Sequence, residues 1–232
     1  MTQIKATYVD HMGSDLSVVN AARVSFGKKS EFELRVHPSG DYADNALAER
    51  DTKLIKYLAK HKHISPFGHA FASFHIKAPI FVARQLVKHK FLRWNEISRR
   101  YVDDEPEFYV PDVWRGRSED KKQGSEGEVD LHPMTFVVDP NDDNLELNEA
   151  SLDVYNYMLQ QGVAPEQARM VLPQSTMTEW YWSGSLDAFA DMCRLRLPAD
   201  TQQETRVVAQ QIDTIMQDLY PVSWVALIGE TK

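Results

Sequence analysis

The pattern that most constrains the fold is a strand that passes directly into a helix near residue 79. The segment "FASFHIKA", residues 71–78, alternates the apolar Phe74, Ile76 and Ala78 with polar residues, which predicts a strand with one buried face. Pro79 follows, and its fixed φ suits the first turn of a helix, which the next residues, "IFVARQLVKHK", continue. This junction indicates a fold that mixes sheet and helix.

Helices and strands follow one another elsewhere without regular alternation. Apolar spacing and flanking turn residues predict five further helices and one further strand. The helices are expected over 44–60, 145–162, 164–173, 185–197 and 201–220, and the strand over 175–184. Residues 103–144 are polar and rich in turn residues, with strand character only at 134–138, which predicts a surface excursion. The mixture favours an α+β fold in a single domain, residues 1–232.

Positive charge is concentrated in one segment of an acidic chain. The 232 residues carry a formal net charge of −8, yet "RQLVKHKFLRWNEISRRY", residues 84–101, holds six Lys or Arg and one Glu. The acidic remainder argues against a protein that coats nucleic acid, because such proteins spread basic residues over a face. The helix dipole would explain one or two cations near a helix C-terminus. Six exceed that number, and their mutual repulsion predicts a bound anion.

The cysteine content and the apolar runs bear on the cellular compartment. The single cysteine, Cys193, excludes an internal disulfide and a multi-cysteine zinc site, and its amphipathic surroundings predict a buried thiol. No apolar run approaches the ~20 residues that span a bilayer, and the N-terminus lacks an apolar signal core. We therefore expect a cytoplasmic protein that does not insert into a membrane.

The residues inside the basic segment suit a nucleotide. Arginine side chains bind phosphate, a hydroxyl such as that of Ser98 fills gaps, and a carboxylate such as Glu96 accepts from a ribose hydroxyl. Trp94 and Phe91 offer flat faces for a ring, although core burial is the ordinary role of each. The chain contains neither G-x-G-x-x-G nor G-x-x-x-x-G-K-[ST]. Side chains would therefore have to hold the nucleotide.

Two other functional classes remain open at this point. Arg93, Trp94 and Arg100 would suit a module that binds nucleotides or single-stranded nucleic acid without redox chemistry. The three histidines of "HKHISPFGH", residues 61–69, would suit a metal-dependent hydrolase. Their spacing matches no familiar zinc pattern, and no acidic residue lies among them, so we expect no metal site.

A wider set of segments resembles the flavin-dependent thymidylate synthases. In that family Arg-His-Arg is followed by seven residues and then Ser, and here Lys88-His89-Lys90 is followed by "FLRWNEI" and Ser98. Further segments resemble the family in the family's order. They are "AARVSF" at 21–26, "HISPFGH" at 63–69, "FHIKAPIFVARQ" at 74–85, "NEISRRY" at 95–101, "ARMVLP" at 168–173 and "RLPADTQQE" at 196–204. The excursion at 103–144 is the part that the resemblance explains least.

The resemblance implies a reaction, its cofactors and an assembly. The family methylates dUMP to dTMP: methylenetetrahydrofolate supplies the carbon, and FAD reduced by NADPH supplies the hydride. The family's fold places helices around a mainly antiparallel sheet, and its active sites lie between the subunits of a homotetramer. The expected partners are therefore dUMP, folate and NADPH, with no nucleic acid. The basic segment would then hold the dUMP phosphate and the flavin.

The resemblance also implies roles for individual residues. Those expected to bind dUMP are Gln85, Lys88, Glu96, Ser98, Arg99, Arg100, Arg169 and Arg196. Those expected to contact FAD are Ser65, Lys88, His89, Lys90, Glu96, Ser185, Leu186, Asp187 and Asp191. Arg196 is the expected catalytic residue, because a fixed guanidinium beside the uracil ring stabilises the anion formed when N3 ionises. No enzyme nucleophile is then required, which agrees with the apolar surroundings of Cys193.

The chain departs from the family inside the basic segment. Lys88 and Lys90 stand where the family has arginine, and lysine lacks the planar fork that binds a phosphate or a flavin edge through two hydrogen bonds. Arg99 stands where glycine is frequent, which adds charge and restricts the backbone. These substitutions predict altered contacts with the flavin and an altered loop geometry.

Overall fold

The computed structural model describes residues 3–36, 43–102, 104–118, 125–129, 137–139 and 142–229. The strands, in chain order, are β1 (Lys5–Met12), β2 (Glu33–Val36), β3 (Ala43–Ala46), β4 (Phe71–Pro79), β5 (Leu92–Glu96), β6 (Arg115–Arg117), β7 (Ser125–Glu128), β8 (Val137–Asp139), β9 (Asp142–Glu146) and β10 (Met177–Ser185). The α-helices are α1 (Asp15–Arg23), α2 (Glu49–Lys60), α3 (Ile80–Leu86), α4 (Leu147–Gln160), α5 (Pro165–Ala168), α6 (Leu186–Arg196), α7 (Gln203–Leu219) and α8 (Pro221–Ile228). Short 3₁₀ helices occupy Val24–Phe26, Ser65–His69 and Arg169–Val171.

A four-stranded antiparallel sheet organises the fold. Its strand order is β1-β4-β10-β5. The alternation that predicted a strand over 71–78 is realised in β4, where Phe74, Ile76 and Ala78 are fully buried. The prediction of an α+β fold with a mainly antiparallel sheet is confirmed.

Aromatic rings fill the space between the sheet and α6. Phe189 of α6 meets Phe74 and Trp182 edge to face, with ring centroids 5.2 and 5.5 Å apart. Trp94 of β5 stacks on Trp180 of β10 at a centroid distance of 4.3 Å. Such pairs add about 0.5–1.5 kcal/mol each beyond the apolar area that they bury. The packing fixes the position of α6, which carries Arg196 at its C-terminal end.

The helices of the two chain ends pack together. Asp15 of α1 is buried, and its carboxylate accepts the backbone N–H groups of Val222 and Ser223 at 2.9 and 2.8 Å. These two donors lie in the first turn of α8, where a helix leaves its N–H groups without internal partners. α8 also packs against α2, α6 and α7. Among the described residues, no helix is long and apolar enough to cross a bilayer.

Several elements begin or end away from the predicted positions. The helix predicted over 44–60 begins at Glu49, because β3 takes the preceding residues, and that predicted over 145–162 begins at Leu147, after β9. α3 ends at Leu86, so residues 88–90 lie in turns rather than on a helix. The reason is the reversal that pairs β5 with β10, which places Phe91 at φ +66°.

The excursion at 103–144 docks against the core where the structure describes it. Phe108 bridges to Thr176, and the backbone N–H of Tyr109 donates to the Ser175 carbonyl at 2.8 Å. β6 and β7 form an antiparallel pair that the sequence did not predict, and Arg115 of β6 pairs with Glu204 of α7 at 2.7 Å. The expectation of a plain surface excursion is therefore incomplete. Residues 103, 119–124, 130–136 and 140–141, which include most of the strand predicted at 134–138, lie outside the described residues.

Candidate active site

Four arginines converge on one cavity of about 490 Å³, here called the arginine pocket. The four are Arg84, Arg99, Arg100 and Arg169. The lining also includes the Glu96 carboxylate and the Ser98 hydroxyl, both from the basic segment. Within the part of the chain that the structure describes, no carboxylate forms a salt bridge with any of the four guanidinium groups. An anion with several oxygens would offset their repulsion, so the chemistry of this lining suits a phosphate group.

Local structure brings these side chains together. The turn after β5 is anchored by the Ile97 N–H, which donates to the Glu179 carbonyl at 2.9 Å, and is closed by the Tyr101 N–H on the Ser98 carbonyl at 2.9 Å. Arg169 approaches from the 3₁₀ helix after α5, a helix that begins at Pro165. Segments far apart in sequence thus supply one pocket.

Glu96 is held by hydrogen bonds inside the arginine pocket rather than by the arginines. Its Oε1 accepts from the Thr178 hydroxyl at 2.7 Å, and its Oε2 accepts from the Trp94 indole at 3.0 Å. Each oxygen keeps lone-pair capacity for a further donor. The carboxylate is therefore oriented and able to accept from a ligand hydroxyl.

A second cavity, of about 720 Å³, lies between α3, the start of α7 and the docked excursion, and is here called the aromatic pocket. Phe81, Tyr109 and Trp114 supply ring walls, and the centroids of Phe81 and Tyr109 are 6.2 Å apart. Gln85 and Arg196 supply polar groups. Gln85 is oriented by hydrogen bonds with Gln202, another lining residue, and with the Thr205 hydroxyl, which donates to Gln85 Oε1 at 3.2 Å.

Helix α3 separates the two cavities. Phe81 and Gln85, four residues apart, line the aromatic pocket, whereas Ile80 and Arg84 line the arginine pocket. Residues four apart lie on one stripe of a helix, so adjacent stripes of α3 face different cavities. The described lining of the two pockets has no residue in common.

Arg196 and His89 contact each other at the edge of the aromatic pocket. The Arg196 Nε donates to His89 Nε2 at 3.0 Å. Burial, together with the positive charge of Arg196, lowers the pKa of His89 to about 4, although the nearby Asp191 carboxylate opposes part of that shift. Burial also lowers the pKa of Arg196 from its ordinary value. His89 is therefore neutral at pH 7 and acts as a hydrogen-bond acceptor that orients the guanidinium.

The residues expected to contact FAD gather around His89 and around the start of α6. Lys88 and Lys90 flank His89 and are exposed, and neither has a hydrogen-bond or ion-pair partner among the described residues. The Leu186 N–H at the start of α6 donates to the Ala70 carbonyl at 2.8 Å. That bond brings the start of α6 beside the 3₁₀ helix that carries Ser65, also exposed. Asp191 lies one turn further along α6 and pairs with Arg194.

Asp187 leaves a polar atom that would suit a ligand. Its Oδ1 is buried and has no hydrogen-bond partner in the described part of the chain. Ser185 occupies the N-cap position just before it, without a side-chain cap bond. A hydroxyl or N–H of a cofactor could satisfy both groups, so these residues fit a flavin nucleotide in chemical character.

The structure gives less support to the two alternative classes. Trp94, expected to stack on a base in a nucleic-acid module, stacks on Trp180 and bonds Glu96 instead. Two histidines of the 61–69 segment lie against the ring of Tyr57, with centroids 4.3 and 6.1 Å away. No group of three or more His, Cys, Asp or Glu side chains among the described residues could hold a metal ion.

Cys193 is placed as its amphipathic surroundings predict. The side chain is fully buried, and the thiol contacts the Ala209 carbonyl at 3.7 Å. Burial raises the pKa of this thiol well above its ordinary value. A protonated, inaccessible thiol cannot serve as a nucleophile.

The dUMP-binding residues expected from the sequence divide between the cavities. Five line the arginine pocket, two line the aromatic pocket, and Lys88 lines neither. The five are Glu96, Ser98, Arg99, Arg100 and Arg169, and the two are Gln85 and Arg196. Four ionisable lining residues were not among those expected: Arg84, Tyr109, Arg115 and Glu204. Arg84 belongs to the basic segment and Glu204 to a segment that resembles the family, whereas nothing local marked Tyr109 or Arg115.

Comparison with known proteins identifies one family. The model of the family described as thymidylate synthase complementing protein matches residues 7–222. A flavin-dependent thymidylate synthase of Kosmotoga olearia is 37% identical over 227 residues, which cover 95% of this chain and 88% of that protein. One from Thermus thermophilus is 36% identical over 219 residues, covering 94% and 73%.

A solved structure agrees with the sequence relatives. It is the UMP/dUMP methylase PolB of Streptomyces cacaoi bound with 5-Br UMP, and it superposes with a TM-score of 0.75 at 29% identity. The match covers 97% of this chain and 94% of that one. The similarity therefore spans the sheet, the helices and both cavities rather than a single motif.

Proposed function

The chain belongs to the flavin-dependent thymidylate synthase family, so it is an enzyme that methylates dUMP with the help of a flavin, and we propose that methylenetetrahydrofolate supplies the carbon. We further propose that the flavin is FAD and that NADPH reduces it. The names of the relatives support a flavin and thymidylate formation, and the similarity to PolB, a UMP/dUMP methylase, supports a uridylate substrate. We also propose a cytoplasmic location, because one cysteine forms no internal disulfide.

The arginine pocket carries this proposal. dUMP is a dianion near neutral pH, and four arginines without carboxylate partners would bind its phosphate. The Ser98 hydroxyl lies among them, and the oriented Glu96 carboxylate would accept from a sugar hydroxyl. Among the described residues, Glu96 is the single acidic residue of the lining. No other carboxylate of the lining would therefore compete with the phosphate for the arginines.

The groups around His89 and the start of α6 would hold the flavin. Lys88 and Lys90 would bind its phosphates, and Asp187 would accept from a hydroxyl or a ring N–H. A bound flavin, once reduced, supplies the hydride of the reaction. Neutral His89 adds no charge there and keeps Arg196 oriented through the hydrogen bond to its Nε.

Arg196 is the residue that we propose to act on the pyrimidine. Its Nε is occupied by His89, so its Nη groups are the donors that remain for a ligand of the aromatic pocket. Aimed at a uracil carbonyl, they would stabilise negative charge on the ring and raise electron density at C5. Partial burial of Arg196 strengthens such an interaction, because water screens it less. Cys193 takes no part.

We propose a homotetramer in which active sites form between subunits. Gln85 and Arg196 line one cavity of the chain, whereas Ser98, Arg100 and Arg169 line another, with α3 between them. Among the described residues, no one cavity of the chain offers both sets to a nucleotide. A neighbouring chain that presents its arginine pocket beside the first chain's aromatic pocket would unite them.

A spectrum of the purified protein tests the proposal directly. We expect flavin absorbance in the visible, bleaching with NADPH, and dTMP formed from dUMP when methylenetetrahydrofolate is added. The control is the same mixture without dUMP, which should give no dTMP. A protein that stays colourless after incubation with FAD, and that forms no dTMP, would refute the flavin-dependent reaction.

A further inference from the structure

Three of the chain's five tryptophans form one group of touching rings in the sheet, here called the tryptophan cluster. Trp180 and Trp182 are alternate residues of β10, so they project from the same face, and Trp94 of β5 lies opposite Trp182 in the strand register. The rings of Trp94 and Trp180 stack at an interplanar angle of 19°, and the centroid of Trp94 is 5.8 Å from that of Trp182. The three indoles therefore form a continuous path of aromatic contacts.

The tryptophan cluster extends from the proposed flavin region to a carboxylate. The centroid of Trp182 is 6.5 Å from that of His89, a residue proposed to contact the flavin. At the other end, the Nε1 of Trp94 donates to Glu96 Oε2 at 3.0 Å. The Nε1 of Trp180, in contrast, is buried without a hydrogen-bond partner in the described part of the chain. The cluster thus begins beside a cofactor residue and ends at an N–H that already faces a proton acceptor.

We propose that the tryptophan cluster reduces a light-excited flavin by one electron, with Trp182 as the first donor and Trp94 as the residue left oxidised. This inference rests on the proposed function, because it requires a flavin beside His89. It describes a separate activity of the flavin-loaded protein, which needs neither dUMP nor folate nor NADPH.

Each step of this activity moves one electron or one proton. Trp182 gives one electron to the excited, oxidised flavin, and the stacked pair of Trp180 and Trp94 returns an electron to Trp182, so the positive charge comes to rest on Trp94. The Nε1–H bond of Trp94 then breaks and an O–H bond forms on Glu96 Oε2, which leaves a neutral tryptophan radical. Reverse transfer of the electron and the proton restores the resting state. An added thiol instead gives a hydrogen atom to Trp94, after which Glu96 releases its proton to water and the flavin stays reduced.

The surroundings of the tryptophan cluster favour transfer of the positive charge toward Trp94. Trp180 and Trp182 are each 1% exposed, and burial disfavours a charge on either ring. Trp94 is only partly buried and lies beside the Glu96 carboxylate, so water and an opposite charge both stabilise a cation there. At the flavin end, the guanidinium of Arg196, hydrogen-bonded to His89, repels a positive charge.

The experiment uses the full-length protein loaded with FAD, without dUMP, folate or NADPH. After a blue laser pulse, transient absorption detects a tryptophan radical, and the fluorescence lifetime of the flavin reports the first electron transfer. We expect Trp94→Phe to abolish the long-lived tryptophan radical, because phenylalanine keeps a ring in place but is far harder to oxidise. Trp224→Phe is the matched control and should leave the radical unchanged, since Trp224 is equally buried but lies in α8 and bonds Asp213 at 2.7 Å.

Two further variants test the two ends of the path. Trp182→Phe removes the first donor and should lengthen the fluorescence lifetime of the flavin. Glu96→Gln removes the proton acceptor, so the oxidised Trp94 should keep its proton and show the spectrum of the cation rather than that of the neutral radical. Glu96 and Trp94 are not core residues, so these two variants cover the case in which Trp182→Phe fails to fold.

Three outcomes in protein that has bound FAD would overturn the inference. They are an unchanged tryptophan radical in Trp94→Phe, a radical on tyrosine instead of tryptophan in the wild type, and no radical at all in the wild type. A wild-type protein that binds no FAD would instead count against the proposed function.

Discussion

The Nε of Arg196 and the Nε2 of His89 are 3.0 Å apart, so a residue expected to act on the pyrimidine is held by one expected to contact the flavin. Because His89 is neutral, it can accept this hydrogen bond without adding a second positive charge. The pair links the two ligand regions through side chains of the turn after α3 and the end of α6.

Replacement of Arg196 by alanine should abolish most turnover while the fold and the flavin remain. Loss of a fixed donor at a developing charge lowers kcat by about 10²–10³. The measurements are dTMP formation and the visible spectrum of the bound flavin. Arg50→Ala, an exposed arginine of α2, is the matched control and should leave both unchanged. Turnover near the wild-type level in Arg196→Ala would contradict a catalytic role for this residue.

His89 should make the folded state less stable in acid. Its pKa is about 4 in the folded chain and near the ordinary 6.5 when unfolded, so between these values the unfolded state binds more protons. The unfolding free energy should therefore fall as pH decreases from about 6.5 to about 4. With allowance for a half-exposed side chain, the effect is of the order of 1 kcal/mol. Urea unfolding of the wild type and of His89→Gln at pH 7 and pH 4.5 measures it, and equal pH dependence in both proteins would contradict the assignment.

Restoration of arginine at both lysine positions should strengthen flavin binding. Lys88 and Lys90 are exposed and unpaired within the described structure, and a guanidinium makes two parallel hydrogen bonds to a phosphate or a ring edge where an ammonium makes a point contact. We expect the double variant Lys88→Arg/Lys90→Arg to bind FAD several-fold more tightly, as followed by flavin fluorescence. Lys56→Arg, on the exposed face of α2, should have no effect. An unchanged Kd for FAD would show that these side chains do not contact it.

Asp15→Ala should destabilise the protein without direct loss of catalysis. The carboxylate accepts two backbone N–H groups of α8 in a buried place, and its removal leaves both donors without partners. We expect a loss of about 2 kcal/mol in unfolding free energy, measured with urea. The exposed Asp218→Ala should change it by less than about 0.5 kcal/mol. Equal stability of the two variants would mean that solvent or other groups accept the hydrogen bonds of these two α8 N–H groups.

Mixed assemblies test whether the two cavities belong to one active site. Arg196→Ala and Arg100→Ala should each be inactive, because each removes one side of the substrate contacts. When the two chains are co-expressed, about a quarter of the sites should pair an intact Arg196 with an intact Arg100 from another subunit. Activity near that fraction supports sites shared between chains. Complete absence of activity would place both arginines in the same subunit's site.

The elements predicted best were those whose burial follows a simple period. In β4 the alternate Phe74, Ile76 and Ala78 all reach the core, so sequence spacing alone located the strand. β1 has a single buried residue, Ala6, and therefore offered no alternation to detect. α3 was predicted too long because its end is imposed by the pairing of β5 with β10, a tertiary constraint that residues 80–90 do not encode locally.

The candidate site was predictable where its residues are neighbours in sequence. Glu96, Ser98 and Arg100 lie within five positions and line one pocket. Gln85 and Arg84 are neighbours in sequence but line different cavities. Which cavity each one lines depends on how α3 is rotated about its axis and on the segments that pack beside it. The ion pair between Arg115 and Glu204 joins residues 89 positions apart, and no local pattern announces such a contact.

The burial of Cys193 has a practical consequence. The chain has one thiol, and it is enclosed between α6 and α7. An alkylating reagent would have no target until these helices separate. The rate of alkylation would therefore measure how often the native state opens enough to expose the thiol. Equally, any cysteine engineered onto the surface would be the one position modified in the folded protein, which allows a fluorophore or spin label to be placed without first removing a native residue.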